Sequence, residues 1–129
     1  MNKISTKLIK DILIVYLLRR KVPINVMFYL TNRCNLKCIY CQIQEHDNKN
    51  EIDTKTLIRS IKELDKLGCI RIGLIGGEPL LRHDFGQIID ACNKNNILVD
   101  VYTNGYLAAK KSRKISLPFG SNLLLVAEK

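Results

Sequence analysis

Apolar residues along the chain follow two alternating periods. Three runs are almost continuously apolar and have the length of a strand: Ile24–Leu30, Cys69–Ile75 and Ile97–Tyr102. Between these runs, apolar residues recur three and four positions apart, as on one face of a helix: Leu57, Ile58, Ile61, Leu64 and Leu67, then Phe85, Ile88, Ile89 and Cys92. This alternation predicts an α/β fold of parallel strands that are buried on both faces and joined by right-handed crossovers.

The ends of the predicted helices carry recognisable signals. Asp53 is a typical N-cap for the first helix, and Gly68 is suited to a left-handed C-cap after it. Asp84 opens the second helix, and Gln87 follows three residues later, as in a capping box. A last apolar run, Leu123–Val126, predicts one more short element near the end of the chain.

We expect the first 21 residues to form a segment of their own, and residues 22–129 to form one domain or part of one. The apolar run Ile12–Leu18 is flanked by basic residues and is too short to span a bilayer as a helix. It has no small-residue cleavage site after it, so it is not a secretory signal. We expect a helix that packs against the domain; the alternative is a helix that lies on a membrane surface.

Charge and cysteine content narrow the class of protein. The net charge is +9, but ten basic residues face ten acidic ones between positions 22 and 109, so the excess lies at the two ends. A basic nucleic-acid-binding face on the core is therefore not expected. The five cysteines are an odd number and three are clustered, which favours a reducing compartment over a disulfide framework. We expect a cytoplasmic protein, with attachment to a membrane surface as the alternative.

Three cysteines directly follow the first predicted strand. Cys34, Cys38 and Cys41 have the spacing C-x3-C-x2-C. A structural zinc site would need four ligands, and a four-iron cluster held by three cysteines would leave one iron without a protein ligand. An open coordination position can receive a substrate or cofactor, so the missing fourth ligand is itself informative.

Other unusual residues also come directly after a strand. Gly76, Gly77, Glu78 and Pro79 follow the second strand, and Thr103–Gly105 follows the third. The carboxyl ends of parallel strands meet at one edge of a sheet, where active sites of such folds are built. The glycines allow a close approach to the backbone, and the glutamate is suited to a ligand ammonium group. We expect these segments and the cysteines to converge there.

These motifs together resemble the radical S-adenosylmethionine (SAM) superfamily, and within it the maturase-like branch. The resemblance covers about residues 24–107 and includes the residues around the cysteines, Thr31–Cys38 and the aromatic Tyr40. It implies a partial (β/α)6 barrel, of which about three units are present in this chain. Such a barrel would be preceded here by the N-terminal helix.

The resemblance also implies roles for the site residues. Cys34, Cys38 and Cys41 would ligate a [4Fe-4S] cluster, and the methionine part of SAM would chelate the fourth iron. The reduced cluster would cleave SAM to a 5′-deoxyadenosyl radical that takes hydrogen from a substrate. The remaining residues would contact SAM: Gly76, Gly77, Glu78 and Pro79 at the methionine end, Tyr40 near the adenine, and Thr103, Asn104 and Gly105 on the floor beside it.

Partners and completeness follow from the same resemblance. It implies an electron donor such as ferredoxin or flavodoxin, and a peptide, cofactor precursor or lipid intermediate as the substrate. Because only about three units are clear, we expect a truncated or split core that a complementary chain would complete. We expect this chain to bind a cluster but not to complete turnover alone. The alternatives are a non-catalytic iron–sulfur or zinc-binding fragment and a membrane-surface accessory protein.

Overall fold

The computed structural model describes residues 22–41, 49, 51–111 and 123–127, together with the isolated positions 9, 13, 16 and 17. The predicted N-terminal helix lies outside the described residues except for those four positions, which are helical. No helix in these ranges has the length and apolar character needed to cross a membrane.

Four parallel strands form one sheet in the order β1-β2-β3-β4. They are β1 (Asn25–Tyr29), β2 (Arg71–Ile75), β3 (Leu98–Thr103) and β4 (Leu123–Ala127). The three predicted strands are confirmed with bounds shifted by one or two residues. The last apolar run is also confirmed as a strand, and it pairs with β3.

Helices connect the strands as the apolar pattern predicted. They are α1 (Thr54–Lys66), α2 (Phe85–Lys94) and the short α3 (Tyr106–Lys111), with a 3₁₀ turn at Pro79–Leu81. The N-cap of α1 is confirmed, because an oxygen of the Asp53 carboxylate accepts a hydrogen bond from the Thr56 amide at 2.9 Å. The left-handed glycine after α1 is confirmed by a φ of 89° at Gly68.

The predicted capping box at the start of α2 is wrong. Asp84 precedes the helix, but its side chain makes no capping hydrogen bond. The carboxylate instead accepts hydrogen bonds from the Arg82 guanidinium and the Thr54 hydroxyl. A hydrogen bond from a charged guanidinium is about twice as strong as one from a neutral amide, so the tertiary partner displaces the local one.

The hydrophobic core lies between one face of the sheet and the two longer helices. Both helices and the two central strands contribute fully buried residues to it. These are Leu57 and Ile61 of α1, Ile88 and Cys92 of α2, Ile72 and Leu74 of β2, and Val99 and Val101 of β3. Cys69 and Cys92 are buried in this core, as small apolar side chains.

The opposite face of the sheet is partly exposed, which corrects the expectation that every strand is buried on both faces. Met27 and Tyr29 of β1 are 45% and 48% exposed, and Tyr102 of β3 is 36% exposed. Both longer helices cover the other face, and among the described strands β1 lies at the edge, with β2 as its one neighbour. The apolar pattern predicts where the strands lie in the sequence, but it does not predict on which face of the sheet the helices pack.

Candidate active site at the carboxyl edge of the sheet

The cysteine loop leaves β1 at the carboxyl edge of the sheet. Cys34 and Cys38 are half-buried, Cys41 is exposed, and none of the three forms a disulfide. In the described part of the chain, no three side chains of the metal-binding types converge on a single ion. A four-iron cluster does not require this, because each thiolate binds a different iron atom. Three free, solvent-reachable thiols on one short loop therefore fit such a cluster.

Backbone contacts dock the Gly-Gly-Glu-Pro segment, residues 76–79, onto the cysteine loop. The Gly77 amide donates to the Thr31 carbonyl at 2.7 Å, and the Glu78 amide donates to the Arg33 carbonyl at 2.8 Å. A Cβ atom on Gly76 would lie 2.5 Å from the Thr31 oxygen, and one on Gly77 would lie 2.3 Å from the Arg33 oxygen. Any larger residue would therefore push the cysteine loop away. The close approach that these glycines permit is made by the chain's own backbone.

The same glycines also present acceptors. Gly76 and Gly77 are half-buried, and no donor among the described residues bonds to either carbonyl oxygen. Gly76 also has a φ of 153°, which an L side chain rarely adopts. Two unused carbonyls beside the cysteine loop could accept hydrogen bonds from a ligand amino group.

Glu78 is a fully buried carboxylate without a described cationic partner. Its exposed fraction is 0%, and its oxygens accept from the Leu80 amide at 3.0 Å and the Asn104 amide at 2.9 Å. The Thr103 hydroxyl lies 2.8 and 2.9 Å from the two oxygens. No Lys or Arg of the described ranges pairs with it. All its donors are neutral, so a cation bound nearby would be strongly favoured.

The third segment, Thr103–Gly105, joins the other two. Thr103 is buried against Glu78, and Gly105 turns the chain with a φ of 76°. The Asn104 side-chain nitrogen lies 3.0 Å from the Asn35 side-chain oxygen and 3.9 Å from the Cys34 sulfur. The three motifs that the sequence separates by about seventy positions thus meet at one edge of the sheet.

The remaining predicted SAM contacts have contrasting surroundings. Pro79 is buried and opens the 3₁₀ turn that follows Glu78. Tyr40 is 76% exposed on the cysteine loop. Its placement near an adenine stays a prediction, as do the individual SAM contacts of the other residues.

Sequence reasoning missed a buried arginine that holds the cysteine segment at both ends. Arg82 donates to the Leu30 carbonyl at 2.8 Å and to the Ile52 carbonyl at 2.9 Å, and these residues flank the segment. It also pairs with both oxygens of Asp84, at 2.8 and 2.7 Å. The hydrogen bonds from Arg82 lower the pKa of Asp84 to about 2, against the opposing effect of burial. No sequence signal links positions so far apart.

A second ion pair supports the start of the loop. Arg33 donates to the two oxygens of Glu51 at 2.7 and 3.2 Å, and the Thr31 hydroxyl donates to the same carboxylate. Burial raises the pKa of Glu51, but hydrogen bonds from Arg33 and Thr31 outweigh it and lower the pKa overall. Arg33, next to Cys34, is thereby held in place from beyond the cysteine segment.

Tyr29 is another residue at this edge that sequence reasoning left without a role. Burial raises its pKa, and the nearby charges of Cys41 and Cys34 raise it further. The tyrosine therefore lies within the electrostatic reach of two of the three thiols. A polar aromatic residue at the end of a strand, directly before a cysteine loop, is the signal that could have found it.

Comparison with known proteins identifies the family of this chain. The sequence profile of the radical SAM superfamily matches residues 28–116, which include all three motifs. The chain belongs to the radical SAM superfamily. Members of this superfamily use a [4Fe-4S] cluster and SAM, so the predictions of family, fold and cofactors are confirmed.

The curated relatives belong to the maturase-like branch. A protein of Methanocella arvoryzae named "Probable GTP 3',8-cyclase" is 41% identical over 87 residues, which cover 67% of this chain and 28% of that protein. The PqqA peptide cyclase of Ruegeria pomeroyi is 34% identical over 85 residues, which cover 64% of this chain and 23% of that protein. This chain therefore spans less than a third of the length of these relatives.

Solved structures show the same fold. Streptococcus suis SuiB bound to S-adenosylmethionine aligns with a TM-score of 0.70 over 88% of this chain and 27% of that one, at 23% identity. SuiB bound to the precursor peptide SuiA aligns with a TM-score of 0.72 over 92% of this chain and 27% of that one, at 23% identity. At this identity the likeness establishes the β/α fold.

Proposed function

We propose that this chain binds a [4Fe-4S] cluster through Cys34, Cys38 and Cys41 and binds SAM beside it for reductive cleavage. When bound, the cluster would supply one electron to the SAM sulfonium, which would break the C5′–S bond into methionine and a 5′-deoxyadenosyl radical able to take a hydrogen atom from the substrate.

The observation that carries the proposal is the surroundings of Glu78. Glu78 is a fully buried carboxylate whose hydrogen-bond donors are all neutral, and it has no cationic partner among the described residues, so a cationic ligand beside it would be favoured. SAM carries a positive charge on its sulfonium and N–H donors on its amino group, and the unused carbonyls of Gly76 and Gly77 lie in the same segment. We expect the carbonyls to accept from the amino group while Glu78 stabilises the positive charge that the ligand brings.

The residues around Glu78 and the cysteines would orient the bound ligand and help to enclose it. Thr103 and Asn104 hold the Glu78 carboxylate in place, so its charge is organised before a ligand arrives. Tyr40 is exposed and precedes Cys41, and we expect its ring to lie near the adenine. The buried pair of Arg82 with Asp84 and the partly buried pair of Arg33 with Glu51 keep the cysteine segment attached to the sheet edge.

Substrate and partners are proposed by class. The names of the two curated relatives refer to GTP and to the peptide PqqA, and we propose a peptide or a cofactor precursor as substrate. The electron would come from a ferredoxin or a flavodoxin. A second chain that covers the partly exposed face of the sheet would exclude water from the radical chemistry. We place the protein in the cytoplasm, with attachment of residues 1–21 to a membrane surface as the alternative.

The decisive experiment is anaerobic reconstitution of the 129-residue chain with ferrous iron and sulfide. We expect about four irons and four sulfides per chain, with a broad cluster absorbance that SAM perturbs in the reduced state. A variant with Cys34, Cys38 and Cys41 all changed to Ala should bind none. Cys92→Ala is the matched control: it removes a buried thiol outside the loop and should keep the cluster.

Other results of these experiments would favour one of the alternative functions. A cluster that SAM does not perturb would make the chain a non-catalytic iron–sulfur fragment, and zinc in place of iron would make it a zinc module. If the isolated chain formed 5′-deoxyadenosine from SAM at an ordinary enzyme rate, the expectation of incomplete turnover would be wrong. Vesicle co-sedimentation with and without residues 1–21 tests the membrane alternative, which equal binding would reject.

A further inference from the structure

The side chain of Asn104 crosses from the segment after β3 to the cysteine loop. Its amide nitrogen lies 3.0 Å from the Asn35 side-chain oxygen and 3.9 Å from the Cys34 sulfur. A primary amide carries two N–H groups, so it can donate to both acceptors at once. One N–H group is therefore directed to a neutral oxygen and the other to a proposed cluster ligand.

Two further hydrogen bonds determine the orientation of this amide. The Asn104 side-chain oxygen accepts from the Tyr106 amide at 3.0 Å, so rotating the group by a half-turn would set a donor against a donor. The Asn104 backbone amide donates to the buried Glu78 carboxylate at 2.9 Å. The side chain that faces Cys34 is thus anchored by the same glutamate that we assign to the SAM amino group.

The Cys34 sulfur has surroundings that the other two thiols lack within the described residues. Besides the Asn104 amide, the Leu36 backbone amide donates to it at 3.4 Å. No N–H group of the described ranges donates to the sulfur of Cys38 or Cys41. The three ligands of the proposed cluster are therefore electronically unequal.

We propose that Asn104 is a positioning residue that raises the reduction potential of the cluster by donating a hydrogen bond to Cys34. The inference rests on the proposed function, since it requires that a cluster be bound. An N–H group directed at a cluster sulfur stabilises the added negative charge of the reduced state. Removing the donor lowers the potential, so a given reductant then reduces a smaller fraction of the cluster.

The test is a mediated redox titration of the reconstituted 129-residue chain, without SAM, followed by electron paramagnetic resonance. Asn104→Leu keeps a similar volume and removes both donors. We expect the ratio of reduced to oxidised cluster at a fixed solution potential to fall roughly three- to tenfold, where tenfold corresponds to 59 mV for a one-electron couple. Asn93→Leu makes the same change on α2, away from the cysteine loop, and should leave the ratio unchanged.

A second variant helps to distinguish a change in reduction potential from loss of the cluster. Asn104→Asp places a carboxylate near the sulfur, and its negative charge should lower the ratio further than Asn104→Leu does. Iron and sulfide content is measured first on every protein. An unaltered potential in either variant with a full cluster overturns the inference. Cluster loss in both, with an unchanged circular dichroism spectrum, also overturns it and assigns Asn104 to holding the loop. Failure of the unsubstituted chain to bind a cluster refutes the proposed function instead.

Discussion

Two buried carboxylates lie six positions apart in the sequence, and they differ in the groups that donate hydrogen bonds to them. Glu78 and Asp84 are both 0% exposed. Asp84 is paired with the Arg82 guanidinium through both oxygens. Glu78 accepts only from amide and hydroxyl groups, and no described cation pairs with it.

This difference separates a structural carboxylate from a ligand-binding one. Charge that is compensated inside the protein, as at Asp84, ties segments together and offers nothing further to a ligand. Charge that is organised but uncompensated, as at Glu78, is a feature of sites that receive a cation. Four predictions test this contrast, in order of decreasing effect.

Removing the cation of the structural pair should have the largest effect. Arg82→Met keeps the length of the side chain but leaves Asp84 buried and unpaired, which should lower the free energy of unfolding by about 3–5 kcal/mol. Urea denaturation measures it. Lys66→Met is the control, since Lys66 is exposed and pairs with exposed Glu63. We expect a loss there of about 0.5 kcal/mol or less. Equal losses would show that Arg82 does not act through a buried charge.

The reciprocal prediction concerns the ligand-binding carboxylate. Glu78→Gln preserves shape but removes the charge, so SAM affinity of the reconstituted chain should fall roughly 10- to 100-fold. Equilibrium dialysis with labelled SAM measures it. Asp84→Asn is the matched change at the structural carboxylate, and it should reduce stability while SAM affinity stays within about threefold in the folded fraction. If the two variants lost SAM affinity equally, the contrast between the two carboxylates would fail.

Lowering the pH should remove the contribution of Asp84 to the free energy of unfolding. Its pKa is lowered from 3.8 to about 2, so its stabilising effect is fully present above pH 4 and disappears as the pH falls toward 2. The shift corresponds to about 2 kcal/mol. Urea denaturation between pH 6 and pH 2.5 should therefore show the free energies of unfolding of the unsubstituted chain and Asp84→Asn converging below pH 4. Parallel curves across this range would contradict the assignment.

The smallest effects should come from single hydroxyl donors. Thr103→Val removes a donor from Glu78, and Thr54→Val removes one from Asp84; each should cost about 1 kcal/mol of unfolding free energy. We expect the larger loss for Thr103→Val, because Glu78 has no cation that could stabilise it instead. Thr103→Ser keeps the hydroxyl and should recover most of the loss. A larger loss for Thr54→Val would reverse the ranking.

The fold was largely predictable because its signals are local. Continuous apolar runs mark the strands, spacings of three and four mark the helices, and Asp53 and Gly68 mark the ends of α1. The site residues were predictable because each motif follows a strand, and parallel strands end at one edge. The capping box at Asp84 failed because its carboxylate has a stronger partner in Arg82, which no local rule identifies.

Local patterns in the sequence were enough to predict the order of the elements, the family and the segments that form the site. The folded structure was needed to show which charges are compensated, which face of the sheet is partly exposed, and that the two glycines admit the cysteine loop. This is because hydrophobic period and turn chemistry act between near neighbours in the chain. Burial, ion pairing and the contact from Asn104 to Cys34 arise between residues that only the folded sheet brings together.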